Sequence, residues 1–447
     1  MVQWSPEHYK WPPKAFNAIM SQFLGFFLDA YDLTFVTAMT STLAAVLLPP
    51  TLSKETVGYF VALLGYAFTM IARPVGSAIF GNLADKWGRR DTLMLTIVGY
   101  STASALTAAI PTYAQVGWAA FWIYSALRFI LGVFVGGEYA AGHPFAMEYS
   151  APRWRGLASG IVQGAFSWGV ALGGFVVAAF TAYFGPTAMQ EYAWRYVFLT
   201  GLVPAVLALY IRFAMPDTPV FSEAKNKGEI EKVPFFSLFK PPALWTFLSV
   251  FVFMTGLFFS SYSLFDFATG ILEKAGLPQG LASYYYGVSG VFAAIAATLW
   301  GLASDFMGRR KALVIAAVVS AVLAVPTFYI WYLGAAVNSV PLLYLGALLA
   351  GWMTQWPWGL VPVYLSERFA TQRRASGVGF GYSSGVFISA WMPLYSIPLI
   401  DLFKPIEGNN IWFIAAFWLI LAGVVYGTAA ALGPETIGVD LRIAQEK

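Results

Sequence analysis

Asp29 and Asp32 stand three residues apart in the string Phe27-Leu28-Asp29-Ala30-Tyr31-Asp32, inside an apolar run from Ala15 to Leu48 that holds no other charge. A run of that length can cross a bilayer. A carboxylate at such depth costs about 2.5–3.5 kcal/mol or more. Two readings meet that cost: a proton or ion site facing an internal cavity, or a static pair with a buried arginine on another helix. At i and i+3 the two acids lie on neighbouring faces of one helix. If both face one cavity, their repulsion keeps at least one protonated, and they titrate as a coupled pair. A buried carboxylate whose protonation depends on a nearby cation can load on one side of a membrane and release on the other.

Other polar groups fall inside apolar segments. Arg73 is expected either to attract an anionic substrate or to pair with a carboxylate of the opposite half of the chain. Tyr139, Gln163, Tyr262, Gln355 and Tyr382 could line a cavity and offer hydrogen bonds to a sugar or hydroxy acid. Asp266 is the acid of its segment, suited to a substrate hydroxyl or a second proton. Several chemistries are excluded or disfavoured. There is no cysteine, hence no disulfide, thiolate metal site or cysteine nucleophile. Two histidines, His8 and His143, argue against a His-rich metal centre. No nucleophile–base or metal-ligand spacing is evident, so an enzyme is not expected, nor a cofactor or nucleic-acid partner. Glycine-rich stretches lie within spans, where they let helices approach, and not in phosphate-binding loops.

The elements that position these residues follow from hydropathy. Of 447 residues, 59% are hydrophobic and 11% charged, against about 25% charged in soluble domains. Twelve apolar segments are long enough to span: 15–48, 57–83, 92–111, 117–147, 157–184, 193–214, 243–272, 281–304, 311–334, 340–366, 375–400 and 410–432. The first is too long for a cleavable signal and reads as a retained helix. With the N-terminus in the cytoplasm, 20 of the 26 Lys and Arg fall on the cytoplasmic side and four outside. That positive-inside bias places both termini in the cytoplasm.

The chain also repeats itself. Gly81-Asn82-Leu83-Ala84-Asp85-Lys86-Trp87-Gly88-Arg89-Arg90 follows the second span, and Gly301-Leu302-Ala303-Ser304-Asp305-Phe306-Met307-Gly308-Arg309-Arg310 follows the eighth. Glu148 with Arg155 recurs as Glu367 with Arg374. The expected fold is an all-α membrane protein of twelve transmembrane helices in two six-helix halves, 1–214 and 243–447. A polar cytoplasmic linker, 215–242, carries a short surface helix between them. Parallel repeats put the site between the halves near the midplane.

The doubled loop on twelve spans resembles the major facilitator superfamily. In that family it is a cytoplasmic gating latch, which implies this role for Gly81, Asp85, Gly88, Arg89, Arg90, Asp305, Arg309 and Arg310, with Glu148, Arg155, Glu367 and Arg374. Within the family, Arg73-Pro74-Val75-Gly76, Arg128-Phe129-Ile130-Leu131-Gly132, Gly136-Gly137-Glu138-Tyr139, Pro362-Val363-Tyr364-Leu365-Ser366-Glu367 and Pro434-Glu435-Thr436 resemble the proton-coupled sialate and lactate symporters. Features are shared with phosphate–proton and sugar–proton symporters. The resemblance implies a proton-coupling set: Asp32 first, with Arg128 as its partner, then Asp29 and Glu138. It implies that the seventh span, with Asp266, faces the substrate, and that Trp358 of Trp356-Pro357-Trp358 can stack on a sugar ring. The seventh span departs from the carboxylate pattern, with Phe258, Tyr262, Leu264 and Phe265 at positions that are polar there. The phosphate family's lysine in the eleventh span has no counterpart.

Taken together, the expectation is a proton-coupled symporter importing a small organic anion, such as a monocarboxylate or sugar acid, by alternating access. A sugar or phosphate symporter is the alternative, and a substrate sensor that does not transport is a third. Protons are the coupling ion. The bilayer and a small-molecule substrate are the partners, the cell membrane is the location, and a monomer suffices.

Overall fold

In lipid every backbone polar group must be satisfied internally. The computed structural model of the chain meets this with helices, and no strand occurs among the described residues. It describes residues 4–52, 55–87, 89–203, 206, 234–369 and 374–441, though not the side chains of 84–91 and a few other positions. Eight helical stretches are each long and apolar enough to cross a membrane. The helices Ala15–Ala38 and Thr40–Leu47, bent by 65°, form a ninth. The third expected span is the more polar helix Arg89–Thr107, and the sixth starts at Trp194–Thr200 and runs out of the described residues. The tenth is split into pieces too short to cross alone. These complete the twelve-helix, two-half fold. Of the expected linker, residues 234–242 are described and hold a short helix, Pro234–Ser237, while 215–233 lie outside the described residues.

Four expected spans are not continuous helices. The first breaks at Met39, where the Thr40 hydroxyl turns back on the carbonyls of Val36 and Thr37 (3.0 and 2.9 Å), a bond that bends helices. The seventh divides into Ala243–Phe265 and Ala268–Lys274. Its freed Asp266 carbonyl accepts a hydrogen bond from the Tyr59 hydroxyl of span two. The tenth runs Val340–Gln355, a 3-10 turn Trp356–Leu360, then Val361–Arg368. Pro357 and Pro362 remove donors there and force the change. The eleventh breaks between Arg374–Ser384 and Met392–Glu407, the latter opening on Pro393.

Spans five and eight form the main seam between the halves. Small residues set its closeness. A methyl group on Gly301 would stand 2.9 Å from the Cα of Gly160, so a larger side chain there forces the halves apart. Spans two and eleven make the second seam.

Candidate functional site

The middle of span one presents Asp29 and Asp32 to different neighbours. Arg73 grips Asp29 with both terminal nitrogens, at 2.9 and 3.0 Å, and the Tyr139 hydroxyl donates to the same carboxylate at 2.7 Å. Arg128 donates to Asp32 at 2.7 Å and to the Thr107 hydroxyl at 2.7 Å, while Ser104 donates to the other Asp32 oxygen. The rings of Tyr124 and Phe198 flank the Arg128 guanidinium. All four charges are buried. The expected Asp32–Arg128 pair forms. Two expectations are corrected. The carboxylates do not share one cavity, because each has its own guanidinium. Arg73 takes its partner from its own half and not from the opposite one.

Between the halves lies a small cavity of about 20 Å³, room for about one water. Leu33, Tyr66, Met70, Arg73, Gln163 and Phe166 line it from the first half, and Phe258, Ser261, Tyr262, Phe265, Gln355, Trp358 and Tyr382 from the second. The Gln355 carboxamide donates to Ser261 at 3.0 Å. Gln163 Oε1, the Tyr262 hydroxyl and Trp358 Nε1 have no partner among the described residues, and buried polar groups in that condition call for a reason.

Of the residues expected at a substrate site, Arg73, Gln163, Tyr262, Gln355, Trp358 and Tyr382 meet here. Tyr139 and Asp266 are not on the lining. Tyr139 lies behind it, stacked on Tyr382 with centroids 4.5 Å apart. Asp266 sits at the break of span seven, fully buried, with neither carboxylate oxygen partnered among the described residues. Asp32 and the buried Glu138 are also off the lining. Trp356 is fixed within the second half, its ring 4.4 Å from that of Trp300 and its Nε1 donating to Ser320 at 2.8 Å. Tyr66, Met70, Phe166 and Phe258 were not anticipated. In a chain with 38 Phe and 24 Tyr, an aromatic side chain alone marks nothing.

On the outer side an open vestibule of about 490 Å³ is lined by Ser41, Pro49, Tyr59, Glu273 and Lys274, among others. Bonds across the halves separate it from the cavity. Thr37 meets the Tyr286 hydroxyl at 3.0 Å, Thr269 donates to the Thr37 carbonyl at 3.0 Å and Ser283 to the Ala38 carbonyl at 3.1 Å.

On the cytoplasmic side the repeated acids and arginines pair crosswise. Arg155 meets Glu367 at 3.2 Å, and Arg374 meets Glu148 at 3.1 Å, each pair joining one half to the other. Glu367 also takes Arg309 at 3.5 Å and the Thr436 hydroxyl at 2.7 Å. Asp305 accepts from the backbone N–H groups of Gly156 and Leu157, both at 2.9 Å, at the start of span five, and from Arg309 at 2.7 Å. Glu435 accepts from the backbone N–H groups of Arg309 and Arg310. The first copy of the loop cannot be compared. Gly88 and the side chains of Asp85, Arg89 and Arg90 lie outside the described residues, and Gly81 is described only as helical.

Glu367→Gln should loosen this closure, because breaking a buried pair costs about 3–5 kcal/mol. The chain has no cysteine, so a single cysteine at the buried Val162 can report. Its labelling by a water-soluble maleimide from the cytoplasmic side should rise by about tenfold or more. An unchanged rate would show that the pair does not hold the inner side shut.

Two helical halves thus meet around a midplane cavity, with separate bonded layers on its inner and outer sides. The chain belongs to the major facilitator superfamily, whose model matches residues 33–295. The model for sugar (and other) transporters matches 230–447. The chain is similar to the ectoine/proline transporter ProP of Corynebacterium glutamicum, 27% identical over 94% of this chain and 84% of that protein. It is 27% identical to the sialic acid transporter NanX of Escherichia coli, over 84% of each. A putative metabolite transport protein of Haemophilus influenzae is 30% identical over 72% of this chain and 76% of that one. The solved proton:xylose symporter XylE superposes with a TM-score of 0.72 at 18% identity, over 96% of this chain and 98% of that one. The protein is therefore a multi-pass transporter of the cell membrane and not an enzyme.

Proposed function

We propose that this transporter couples inward proton movement to uptake of a small carboxylate. The observation behind this reading is the Arg73–Asp29 pair at the cavity wall. Arg73 is the one charged side chain on the lining among the described residues, and Asp29 holds it from behind. Protonating Asp29 releases Arg73 to bind a substrate carboxylate bidentately. The charge balance then enforces coupling. The empty site with the pair intact is neutral, and so is the loaded site with a protonated Asp29. Substrate without the proton leaves one negative charge, and the proton without substrate leaves one positive charge. Either is costly to enclose. Gln163, Gln355, Ser261 and Tyr262 hydrogen-bond the rest of the substrate. The relative named for sialic acid handles a molecule that carries a carboxylate. Asp32 and Arg128, away from the cavity, tie spans one, three and four together. A second reading, a neutral sugar, is favoured by Trp358, whose ring borders the cavity and whose Nε1 has no partner among the described residues.

The test uses liposomes holding the protein and a pH dye, with membrane potential clamped. Lactate, N-acetylneuraminate, proline and xylose are added outside in turn. Protein-free liposomes set the baseline, since lactic acid itself crosses lipid. Acidification above baseline with at least one carboxylate is expected. Arg73→Met should raise the half-saturating concentration by roughly thirtyfold or more, the loss of about 2 kcal/mol or more of a buried charge contact. Acidification with xylose alone would move the reading to sugars, and none with any compound would sink proton coupling for all four.

A further inference from the structure

His143 is one of only two histidines in the chain, and the mechanism above does not use it. It is fully buried on span four, one helical turn to the cytoplasmic side of Tyr139. Its Nδ1 lies 3.1 Å from the carboxamide nitrogen of Gln22 on span one. Its Nε2 has no partner among the described residues. The rings of Phe26, Tyr382 and Tyr139 surround it, with centroids 5.1, 5.5 and 5.9 Å away. The titratable groups facing it are Tyr139 on its own helix and Tyr382 on span eleven. Gln22 and Phe26 of span one are uncharged. The nearest carboxylate in this chain of contacts is Asp29, which accepts from Tyr139.

Two further features fit a proton path. Towards the cytoplasm an apolar plug follows, built from Ile19, Ala146, Met147, Val162 and Val363. His143 and Gln22 therefore stand between the Asp29–Tyr139 contact and the inner seal. The backbone also makes room for this pair. A methyl group on Gly142 would overlap the Gln22 carboxamide. Gln22 can serve either state of the ring. Its nitrogen donates to Nδ1, and a half-turn presents its oxygen to an Nδ1–H, which frees Nε2 to accept.

We propose that His143 is the inner proton acceptor of the transport cycle, receiving the coupling proton from Asp29 through Tyr139. This rests on the reading of Asp29 as the coupling carboxylate. The Asp29 O–H bond breaks and the Tyr139 oxygen takes that proton. Tyr139, which here bonds Asp29 and not the ring, turns its hydroxyl towards His143 and releases its own proton, and an Nε2–H bond forms. Asp29 is left as a carboxylate that recaptures Arg73, and the ring is left as imidazolium. When the plug parts, the ring gives its proton to cytoplasmic water.

The experiment compares wild type with His143→Gln in the same liposomes, using whichever of lactate, N-acetylneuraminate or proline acidifies the wild type. Net uptake under a pH gradient should fall roughly a hundredfold, while exchange of labelled for unlabelled compound at equal pH stays within about threefold. That exchange should keep its dependence on pH, because Asp29 still loads its proton. A parallel fall in uptake and exchange, or no fall in uptake, overturns the proposal. Gln22→Leu, which leaves the imidazole and removes its partner, should lower uptake about tenfold with exchange retained. It decides the matter if the histidine variant does not fold. No wild-type signal with any of the three compounds overturns the Asp29 reading, and this one with it. A wild-type signal unaffected in both variants overturns this one alone.

Discussion

Asp29→Asn should reduce net uptake under a pH gradient to the protein-free baseline, a fall of about a hundredfold or more, while one-for-one exchange continues. Asparagine carries no titratable proton and no charge. Arg73, now held at 2.9–3.0 Å by the carboxylate, stays available to substrate at every pH. The loaded carrier is then neutral and can close. The empty carrier has one uncompensated guanidinium and cannot return, so only carriers reloaded on the far side cycle. Exchange should also lose its dependence on pH, because no proton has to arrive before substrate binds. The measurement pairs dye-reported proton entry with labelled-substrate exchange in the same vesicles. Undiminished proton entry would move coupling to another carboxylate. Loss of exchange together with uptake would assign Asp29 to holding the cavity's shape.

Asp32→Asn is expected to act chiefly on stability. Arg128 is fully buried, and Asp32 is its counter-charge at 2.7 Å. Removing one member of such a pair leaves a charge in a dry interior, at a cost of about 3–5 kcal/mol. The variant should melt well below wild type in detergent. Combining it with Arg128→Met should recover most of the loss, since replacing a buried pair by neutral groups of similar volume is often close to neutral. The double variant should still couple protons to uptake. If it folds and exchanges substrate but no longer moves protons, Asp32 is the coupling group, and Asp29 holds Arg73 in place.

Much of the architecture was legible in the residues. The hydrophobic segments, the bias of Lys and Arg, and a motif repeated across the two halves each report a local or one-dimensional property. The breaks within spans were less visible. Trp356-Pro357-Trp358 and Pro362 advertise one, but Met39 and Phe267 carry no proline. The first depends on a threonine hydroxyl turning back on its own helix, a bond the residue type permits but does not require, and at the second Tyr59 of another span takes up a freed carbonyl. At the cytoplasmic face the sequence shows Glu148 with Arg155 and Glu367 with Arg374 as neighbours. The fold joins them crosswise, because the ends of spans four and ten and the starts of five and eleven abut across the seam.

The sequence alone determined that this chain spans a membrane as two repeated helical halves. It also determined that carboxylates and arginines lie within the spans, where the cost of charge in lipid makes them candidates for the site. The Asp32–Arg128 pair was expected from the resemblance, but only the tertiary structure gave Arg73 to Asp29 and set the two pairs apart. One turn of helix separates Asp29 from Asp32, yet the first reaches Arg73 at the cavity wall and the second reaches Arg128 away from it. That choice comes from which neighbouring helix packs on each face, and packing between helices is not written in the order of residues along one.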